Sequence, residues 1–310
     1  MPIFQPSSSA LDNILAPREA SFWERLVSKP CLTIAESLYK RLGHGGPSRP
    51  PKDAVSVVCI SDTHNNEIPI PYGDILVHAG DLTQSGTYSE LQASLSWLAA
   101  QPHPIKVVMA GNHDVLLDEA NDAIGSEQEN LDKRKLLLRD TSGLICLQDT
   151  SITTTAPNGR CLRIYGSPQS PRQGNWAFQY PRFENIWAER LMGDYIDILV
   201  THCPPLAHLD LGYGCVHLLR QLWRVRPRLH VCGHIHAAAG IEYLAYDDLQ
   251  YAYEQVVIHN HLRTFVAFLI ALAIGLITPG RTETQTVLVN AAIVGGIRDS
   301  FRRGTVKVVV

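Results

Sequence analysis

Short apolar, β-branched runs recur through the middle of the chain, and each ends in a cluster of small and polar residues. The runs are Val55 to Ile60, Ile75 to Val77, Ile105 to Val108, Ile196 to Val200 and Leu229 to Val231. The clusters behind them are Asp62-Thr63-His64, Gly80-Asp81, Gly111-Asn112-His113-Asp114, Thr201-His202 and Gly233-His234-Ile235-His236. Continuous apolar runs, as opposed to alternating ones, are what strands buried on both faces require. Ser89 to Ala100 carries Leu91, Leu95 and Leu98 at helical spacing, and Asn130 to Arg139, Arg182 to Met192 and Cys215 to Arg224 predict further helices. Pro227 is the stop signal for the last of these. Leu144 to Leu147, Leu162 to Tyr165, Val287 to Val289 and Val306 to Val310 predict more strands. The alternation points to an α/β fold with layered helices and strands, and no internal repeat is visible.

Two segments break this rhythm. Residues 1–52 read as an N-terminal extension and linker, with breakers at Ser7-Ser8-Ser9 and from Leu42 to Pro51. Between them Phe22, Leu26, Ile34 and Leu38, interrupted by Pro30, predict one or two short helices that pack on a main domain of residues 53–310. The second segment is a helical insertion at about 241–281. Its first half, with Tyr243, Tyr246, Tyr251 and Tyr253, has an amphipathic helical pattern. Its second half, Thr264 to Thr278, is almost wholly apolar, with Arg263 and Arg281 outside its ends. As a helix this half reaches about 22 Å, short of a hydrocarbon core of about 30 Å. A hydrophobic helix packed on the protein is the first expectation; a membrane-surface or self-association contact through 264–278 is the alternative, and a true span the third.

Composition narrows the function classes. Of 310 residues 45% are apolar and 18% charged, as in a globular protein with a real core, and the formal net charge of -3 leaves no nucleic-acid footprint. The seven cysteines are odd in number and contain no C-x-x-C pair, and Cys59, Cys146 and Cys232 sit in strand-like runs where a buried thiol acts as a small hydrophobe. This fits a reducing compartment, and the chain does not start like a secretory signal. The expected location is cytoplasmic, with membrane association if 264–278 meets a bilayer.

Placed at the carboxyl ends of parallel strands, the five polar clusters share one rim, which is where open α/β sheets bind ligands. Asp62 and His64 can turn toward one ion, and carboxylate plus imidazole suits Mn, Fe or Zn. Asp81 can bridge two cations with its two oxygens, or cap a helix from Leu82. Asn112 can ligate without adding charge while His113 faces a substrate, and Asp114 either orients that imidazole or caps a following helix. His202 precedes the stiff Pro204-Pro205 corner, and His234 and His236 point the same way from an extended segment. His78 and His230 fall inside apolar strands and read as neutral core residues. His44, His103, His208, His217, His259 and His261 read as surface or structural, with His208 a weak candidate for the outer part of the site.

In order and spacing these clusters resemble the calcineurin-like metallophosphoesterase superfamily, whose blocks run D-x-H, G-D, G-N-H-[ED], H and G-H-x-H. Ile60-Ser61-Asp62-Thr63-His64-Asn65, Thr201-His202-Cys203-Pro204-Pro205 with Leu209-Asp210, and Arg226-Pro227-Arg228-Leu229-His230-Val231 look like the branch of metallophosphoesterase-domain-containing proteins of animals and fungi. The resemblance covers about residues 53–240, with Val287 to Val310, including Asn290, similar to the closing strands. It implies an α/β/β/α sandwich and two divalent metal ions (Mn, Fe, Zn or Mg). Asp62, His64 and His236 would hold the first, Asp81 both, and Asn112, His202 and His234 the second. Asn112 would also help to place a phosphoryl oxygen. His113 would contact phosphoryl oxygens and protonate the leaving group. Two features depart from the pattern. Ala237-Ala238-Ala239-Gly240 stands where relatives commonly carry an acidic residue and glycines, and the hydrophobic insertion follows directly.

The implied activity is hydrolysis of a phosphoester small molecule, such as a nucleotide, by metal-bridged hydroxide attack with His113 as general acid. A phosphodiesterase is favoured. A small-molecule phosphomonoesterase, a nucleotide- or metal-binding scaffold with weak catalysis, and an enzyme acting on a lipid-linked phosphate are the rivals. For substrate contacts, Asn65 follows the first motif, and the loop Gly166 to Arg182 supplies Arg172 for a phosphate and Trp176 or Phe178 for a base.

Overall fold

A computed structural model of the chain describes residues 21–42, 52–120, 127–140, 143–190, 195–277, 285–295 and 301–310. The linker expected from Leu42 to Pro51 lies, past Leu42, outside the described residues, as do Ser7-Ser8-Ser9, His44 and Arg281. In chain order the first elements are α1 (Phe22–Ser28), α2 (Pro30–Leu42), β1 (Ser56–Ile60), β2 (Ile75–Ala79), α3 (Tyr88–Ala99) and β3 (Ile105–Met109). Next come α4 (Glu127–Asp140), β4 (Ile145–Leu147), β5 (Thr150–Thr155), β6 (Cys161–Ser167) and the short pair β7 (Ser170–Pro171) and β8 (Gln179–Tyr180). Then follow α5 (Trp187–Arg190), β9 (Ile198–Thr201), α6 (Val216–Val225), β10 (Leu229–Cys232) and β11 (Gly240–Leu244). The last are α7 (Asp248–His259), α8 (Leu262–Ile277), β12 (Thr286–Asn290), β13 (Val294–Gly295), β14 (Phe301–Arg302) and β15 (Val306–Val309).

The long strands form two sheets. One has the order β15-β1-β2-β3-β4, the other β11-β12-β10-β9-β6-β5. Within each sheet the inner strands run parallel, and the antiparallel strands β15, β11 and β5 lie at edges. Alternate residues of a strand face opposite ways, and here both ways are apolar. Val57, Cys59, Val77 and Val107 of the first sheet meet Ile164, Ile198, Val200, Val231 and Val289 of the second in one core between the sheets. Val58, Ile60, Leu76 and Val108 face outward and are covered by Leu91, Leu95 and Leu98 of α3 and Leu137 of α4. On the far side Leu199, Cys232 and Leu288 are covered by Leu218 and Leu222 of α6 and Trp187 of α5. The architecture is the α/β/β/α sandwich that the resemblance implied.

Local signals account for the helix ends. Thr87 and Glu90 form a capping box on α3, and Ser21 and Glu24 form one on α1. Pro30 opens α2, in the first turn where helix N–H groups have no intrahelical partner and its missing N–H costs nothing. Arg226 ends α6 in the left-handed region (φ 46°), and Pro227 then forbids continuation.

Several expectations need correction. Arg182 to Met192 is not one helix: within its described part only Trp187–Arg190 is helical, because Pro181 starts a turn closed by Glu184. The insertion does not begin as a helix. Gly240–Leu244 pairs antiparallel with β12 as the edge strand β11, placing Tyr243 on a strand and Tyr246 in the loop before α7. Alternation on an edge strand mimics a helical stripe over so short a stretch. Cys146 is exposed, since β4 is an edge strand, whereas Cys59 and Cys232 are buried; none of the seven cysteines is in a disulfide. In the N-terminal segment the buried face is Thr33, Ala35 and Tyr39, while Phe22 and Ile34 are exposed.

The extension and the insertion share a core of their own. Ala35 and Tyr39 of α2 pack with Leu249, Ala252, Tyr253 and Val256 of α7 and with Phe268 and Leu272 of α8. Tyr39 and Tyr253 stack with ring centroids 4.0 Å apart and planes 6° from parallel. The other face of α8, including Val266, Ile270 and Ile274, is exposed, and no helix among the described residues is long and apolar enough to cross a membrane.

Candidate metal centre

The five clusters follow the carboxyl ends of β1, β2, β3, β9 and β10, three on one sheet and two on the other. Backbone bonds knit neighbouring loops within a sheet: Asp62 N–H donates to Gly80 O (2.9 Å), and Gly233 N–H donates to His202 O (3.1 Å). Two further contacts cross from sheet to sheet. His202 Nδ1 donates to Ala79 O (3.0 Å), and His234 N–H donates to both carboxylate oxygens of Asp62 (3.0 Å each). The site therefore straddles the seam between the two sheets.

Close approach of the loops depends on their glycines. A Cβ on Gly111 would collide with the backbone and carboxylate of Asp81 and with the His202 ring; one on Gly233 would collide with Ser61 and the Asp62 carboxylate. Gly80 is also held at φ +101°. Several neighbouring residues sit in the left-handed region without being glycine: Asp62 (φ 51°), His64 (44°), Asp81 (54°) and His234 (67°). Such conformations cost on the order of 1–3 kcal/mol each and persist where surrounding structure over-determines them. Here the crossing hydrogen bonds do so.

The result is two overlapping groups of donors. The first is Asp62, His64, Asp81 and His236; the second is Asp81, His202 and His234; in each, the donor atoms lie within 4.8 Å of one another. Asn112 joins the second through its Oδ1, 2.9 Å from His202 Nε2. Asp81 Oδ2 lies 3.7 Å from His64 Nε2 and 3.4 Å from His202 Nε2. His236 Nε2 lies 3.2 Å from Asp62 Oδ1 and 3.3 Å from His64 Nε2.

Three observations test whether these residues fit a cation. Two imidazole nitrogens, His64 Nε2 and His236 Nε2, face each other with carboxylate oxygens alongside, an arrangement that a shared cation resolves. His234 Nε2 is buried without a hydrogen-bond partner among the described residues. The Ala79 carbonyl can only accept, so His202 Nδ1 must carry a hydrogen, which frees Nε2 to ligate when the ring is neutral. Mixed nitrogen and oxygen donors suit divalent cations of borderline softness. The residues fit.

Charge is concentrated to match. Burial opposes ionisation of Asp62, but the hydrogen bond and charge of His236 outweigh it and hold the carboxyl down at about 2. Burial likewise opposes ionisation of Asp81, yet His202, His113 and His64 hold it well below the usual carboxylate range. Burial lowers His202 but its contacts with Asp81 prevail and push it up to about 9. Burial, and then His202, push His234 down to about 4.

His113 borders this centre without joining either group. Its Nδ1 donates to the Gln84 carbonyl (2.8 Å), and its backbone N–H donates to Asp81 Oδ1 (2.8 Å). Its ring meets His64 edge-on at 4.7 Å and stacks on Trp176 at 4.3 Å. The expectation that Asp114 orients His113 is corrected. Both Asp114 oxygens are taken by the N–H groups of Leu82, Thr83 and Gly111 and by the Thr83 hydroxyl, so Asp114 ties the second motif loop to the third. Burial, and then the Asp81 charge, push its carboxyl up to about 6.

The substrate-contact candidates separate. Trp176 is exposed beside His113. Phe178 is buried against Ala110 and Ala177, so it is a packing residue and has no free face for a base. Its N–H donates to Asp118 (2.7 Å), and Ala177 N–H donates to Asn112 O (3.2 Å), so the loop is docked on the third motif. Asn65 turns its amide to Glu90 Oε1 (2.7 Å) and lines a surface hollow with Glu67, Glu90 and Trp97. Arg172 is exposed, its N–H bonded to Tyr180 O.

Sequence reasoning underrated His208. It is buried between Glu242 (2.8 Å) and Glu254 (3.1 Å), and it anchors the insertion away from the metal centre. A sequence signal was available in Glu254, which shares a buried face of α7 with Leu249, Gln250, Ala252, Tyr253 and Val256. His78 and His230 are buried, and burial drives both down to about 3.

A family model described as calcineurin-like phosphoesterase matches residues 55–238. The chain is 41% identical over 305 residues to a probable rhamnogalacturonate lyase C of Emericella nidulans, covering 95% of this chain and 28% of that protein. It is 38% identical over 221 residues to metallophosphoesterase domain-containing protein 1 of Homo sapiens, covering 64% of this chain and 65% of that one. It is 32% identical over 225 residues to UPF0046 protein K07C11.7 of Caenorhabditis elegans, covering 67% and 74%. The chain thus spans less than two thirds of the length of the first two relatives.

Proposed function

The chain belongs to the calcineurin-like phosphoesterase family, and on that premise we propose that it hydrolyses phosphodiesters of small molecules at a centre for two divalent cations. The observation that carries the reading is the pair of donor groups joined through Asp81, with the His113 imidazole at their edge. Asp62, His64, Asp81 and His236 would hold one ion, and Asp81, Asn112, His202 and His234 the other. Bound there, the ions would supply positive charge for the phosphoryl oxygens and make a water acidic enough to serve as hydroxide near neutral pH.

The chain's own residues do the rest. The Gln84 carbonyl keeps a hydrogen on His113 Nδ1, so Nε2 is the atom that can deliver a proton to a departing oxygen. Asn112, with its Oδ1 turned to the His202 side of the second donor group, would offer its amide N–H to a phosphoryl oxygen, donating without adding charge. Trp176 gives an organic leaving group a flat surface beside the acid, and the resemblance to the metallophosphoesterase-domain-containing branch supports a diester over a monoester.

The test is Mn²⁺-dependent hydrolysis of bis(p-nitrophenyl) phosphate against p-nitrophenyl phosphate, with Asp81→Asn as control. Diester turnover that is lost with bound metal in the variant is expected. Monoester preference would replace the diesterase reading with a phosphatase, and two bound ions without turnover would replace it with a binding protein.

A further inference from the structure

Asn290 closes β12 at the point where that strand meets the metal centre. It registers against Cys232 of β10 on one side and Gly240 of β11 on the other, so it is enclosed by the strands that enter and leave the Gly233-His234-Ile235-His236 turn. Its side chain is 1% exposed. The amide nitrogen donates to Ile235 O (3.0 Å) and to Leu209 O (3.1 Å), and the amide oxygen accepts from Ala292 N–H (3.3 Å). Ile235 lies between His234 and His236, so this amide grips the carbonyl of the residue that the two imidazole-bearing residues flank.

We propose that Asn290 is a positioning residue of the metal centre, holding the His234–His236 turn against the 206–214 loop through its two amide hydrogens. The inference rests on the metal-centre reading given above. The turn needs an outside hold. His234 sits at φ 67°, Ile235 N–H bends back to Gly233 O (2.7 Å), and past Cys232 the segment leaves the strand ladder. Ala238 N–H also reaches Ile235 O (2.9 Å), but that bond closes the turn on itself and does not fix it to the sheet. The His234 N–H bonds to Asp62 hold the start of the turn, and Asn290 ties its far side, at Ile235 O, to the end of β12.

The residue type is specific. Two carbonyls converge on one group, and only a side chain with two hydrogens on one atom satisfies both at this length. Aspartate has the same shape and only accepts, so it would set a carboxylate against both carbonyls. Leu209 is the neighbour of His208, which Glu242 and Glu254 grip, so the tie ends on a firmly held backbone.

The experiment measures Mn²⁺ affinity by equilibrium dialysis for the parent, Asn290→Ala and Asn290→Asp, with unfolding followed in parallel. Loss of a group that orients ligands typically weakens metal binding about 10–100-fold. A weakening of about 10-fold is expected in both variants. Thr286→Val, at the other end of the same strand where the hydroxyl meets Tyr246 (2.6 Å), is the control: it should lower stability and leave Mn²⁺ affinity unchanged. If Asn290→Ala does not fold, Asn290→Ser, which keeps one donor, is read in its place and should fall between. Parent-like affinity in the folded Asn290 variants overturns the assignment and leaves the metal centre standing. An equal affinity loss in Thr286→Val also overturns it, by making the effect one of general stability. No Mn²⁺ binding by the parent overturns both readings.

Discussion

The indole of Trp176 lies over the imidazole of His113, ring centroids 4.3 Å apart and planes 26° from parallel. His64 also meets this imidazole edge-on at 4.7 Å, so His113 contacts two rings with its Nδ1 fixed by Gln84. Aromatic pairs are worth about 0.5–1.5 kcal/mol beyond burial. Trp176→Ala is therefore expected to lower kcat/KM about 2–10-fold at unchanged metal content, and Trp176→Phe to retain most activity. Parent-like kinetics in Trp176→Ala would remove the indole from the site.

His113→Gln should separate leaving groups. A poorly stabilised alkoxide needs a proton, and losing the acid should cost about 10²–10⁴-fold in kcat. p-Nitrophenolate departs without one, so its diester should lose far less. Equal losses on alkyl and p-nitrophenyl esters, with metal retained, would sink the general-acid role.

The glycines beside the ligands are tested by adding one methyl group. Gly111→Ala and Gly233→Ala force Asp81 or Asp62 aside, and are expected to weaken Mn²⁺ binding by more than about 10-fold and to cost about 1–3 kcal/mol of stability. Gly304→Ala, with nothing within 4 Å of the new carbon, serves as control and should behave as the parent. Metal binding that survives in both site variants would contradict the packing argument.

His208 makes stability depend on pH. Burial works against its charge, but Glu242 and then Glu254 overcome it and push the imidazole up to about 10. Tyr39 and Tyr253 also face the ring, and Asp210 interacts with it. A pKa raised by folding stabilises the native state fully below about 6.5, the unfolded value. That stabilisation is lost as pH climbs toward 10. Denaturant titrations from pH 6.5 to 10 should show a steady fall in the parent and a flatter profile in His208→Gln. That variant should also start about 3 kcal/mol lower, because Glu254 keeps only Gln250 and Trp223. Identical slopes in the two proteins would refute it.

Much of this molecule is legible in its sequence because its signals are local. A strand buried on both faces must be continuously apolar, so Val55–Ile60 or Ile196–Val200 announces itself, and a polar residue next to such a run has to lie at a strand end. Asp62, His64, Asp81, Asn112, His113, His202, His234 and His236 are placed at strand ends on that ground, and it is their joint order, and the resemblance it carries, that marks them as a site. Pro30 marked the interruption in the N-terminal helical pattern and Pro227 a helix stop, through rules that act within one turn.

Tertiary structure decided whatever depends on which surfaces meet. Asp114 and His113 are neighbours in sequence, yet one satisfies the backbone of the Asp81 loop and the other leans on Trp176, because the loops arrive from different strands. Phe178 and Trp176 stand two residues apart, and packing against Ala110 buried one while leaving the other at the site. His208 met Glu242 and Glu254 only because the insertion folds back on the 206–214 loop and on the N-terminal helices. Local pattern determines which faces are apolar and where chains must turn; charge pairing, a shared core and the hold on a ligand turn depend on residues brought together across long sequence separations, and only the fold could assign them.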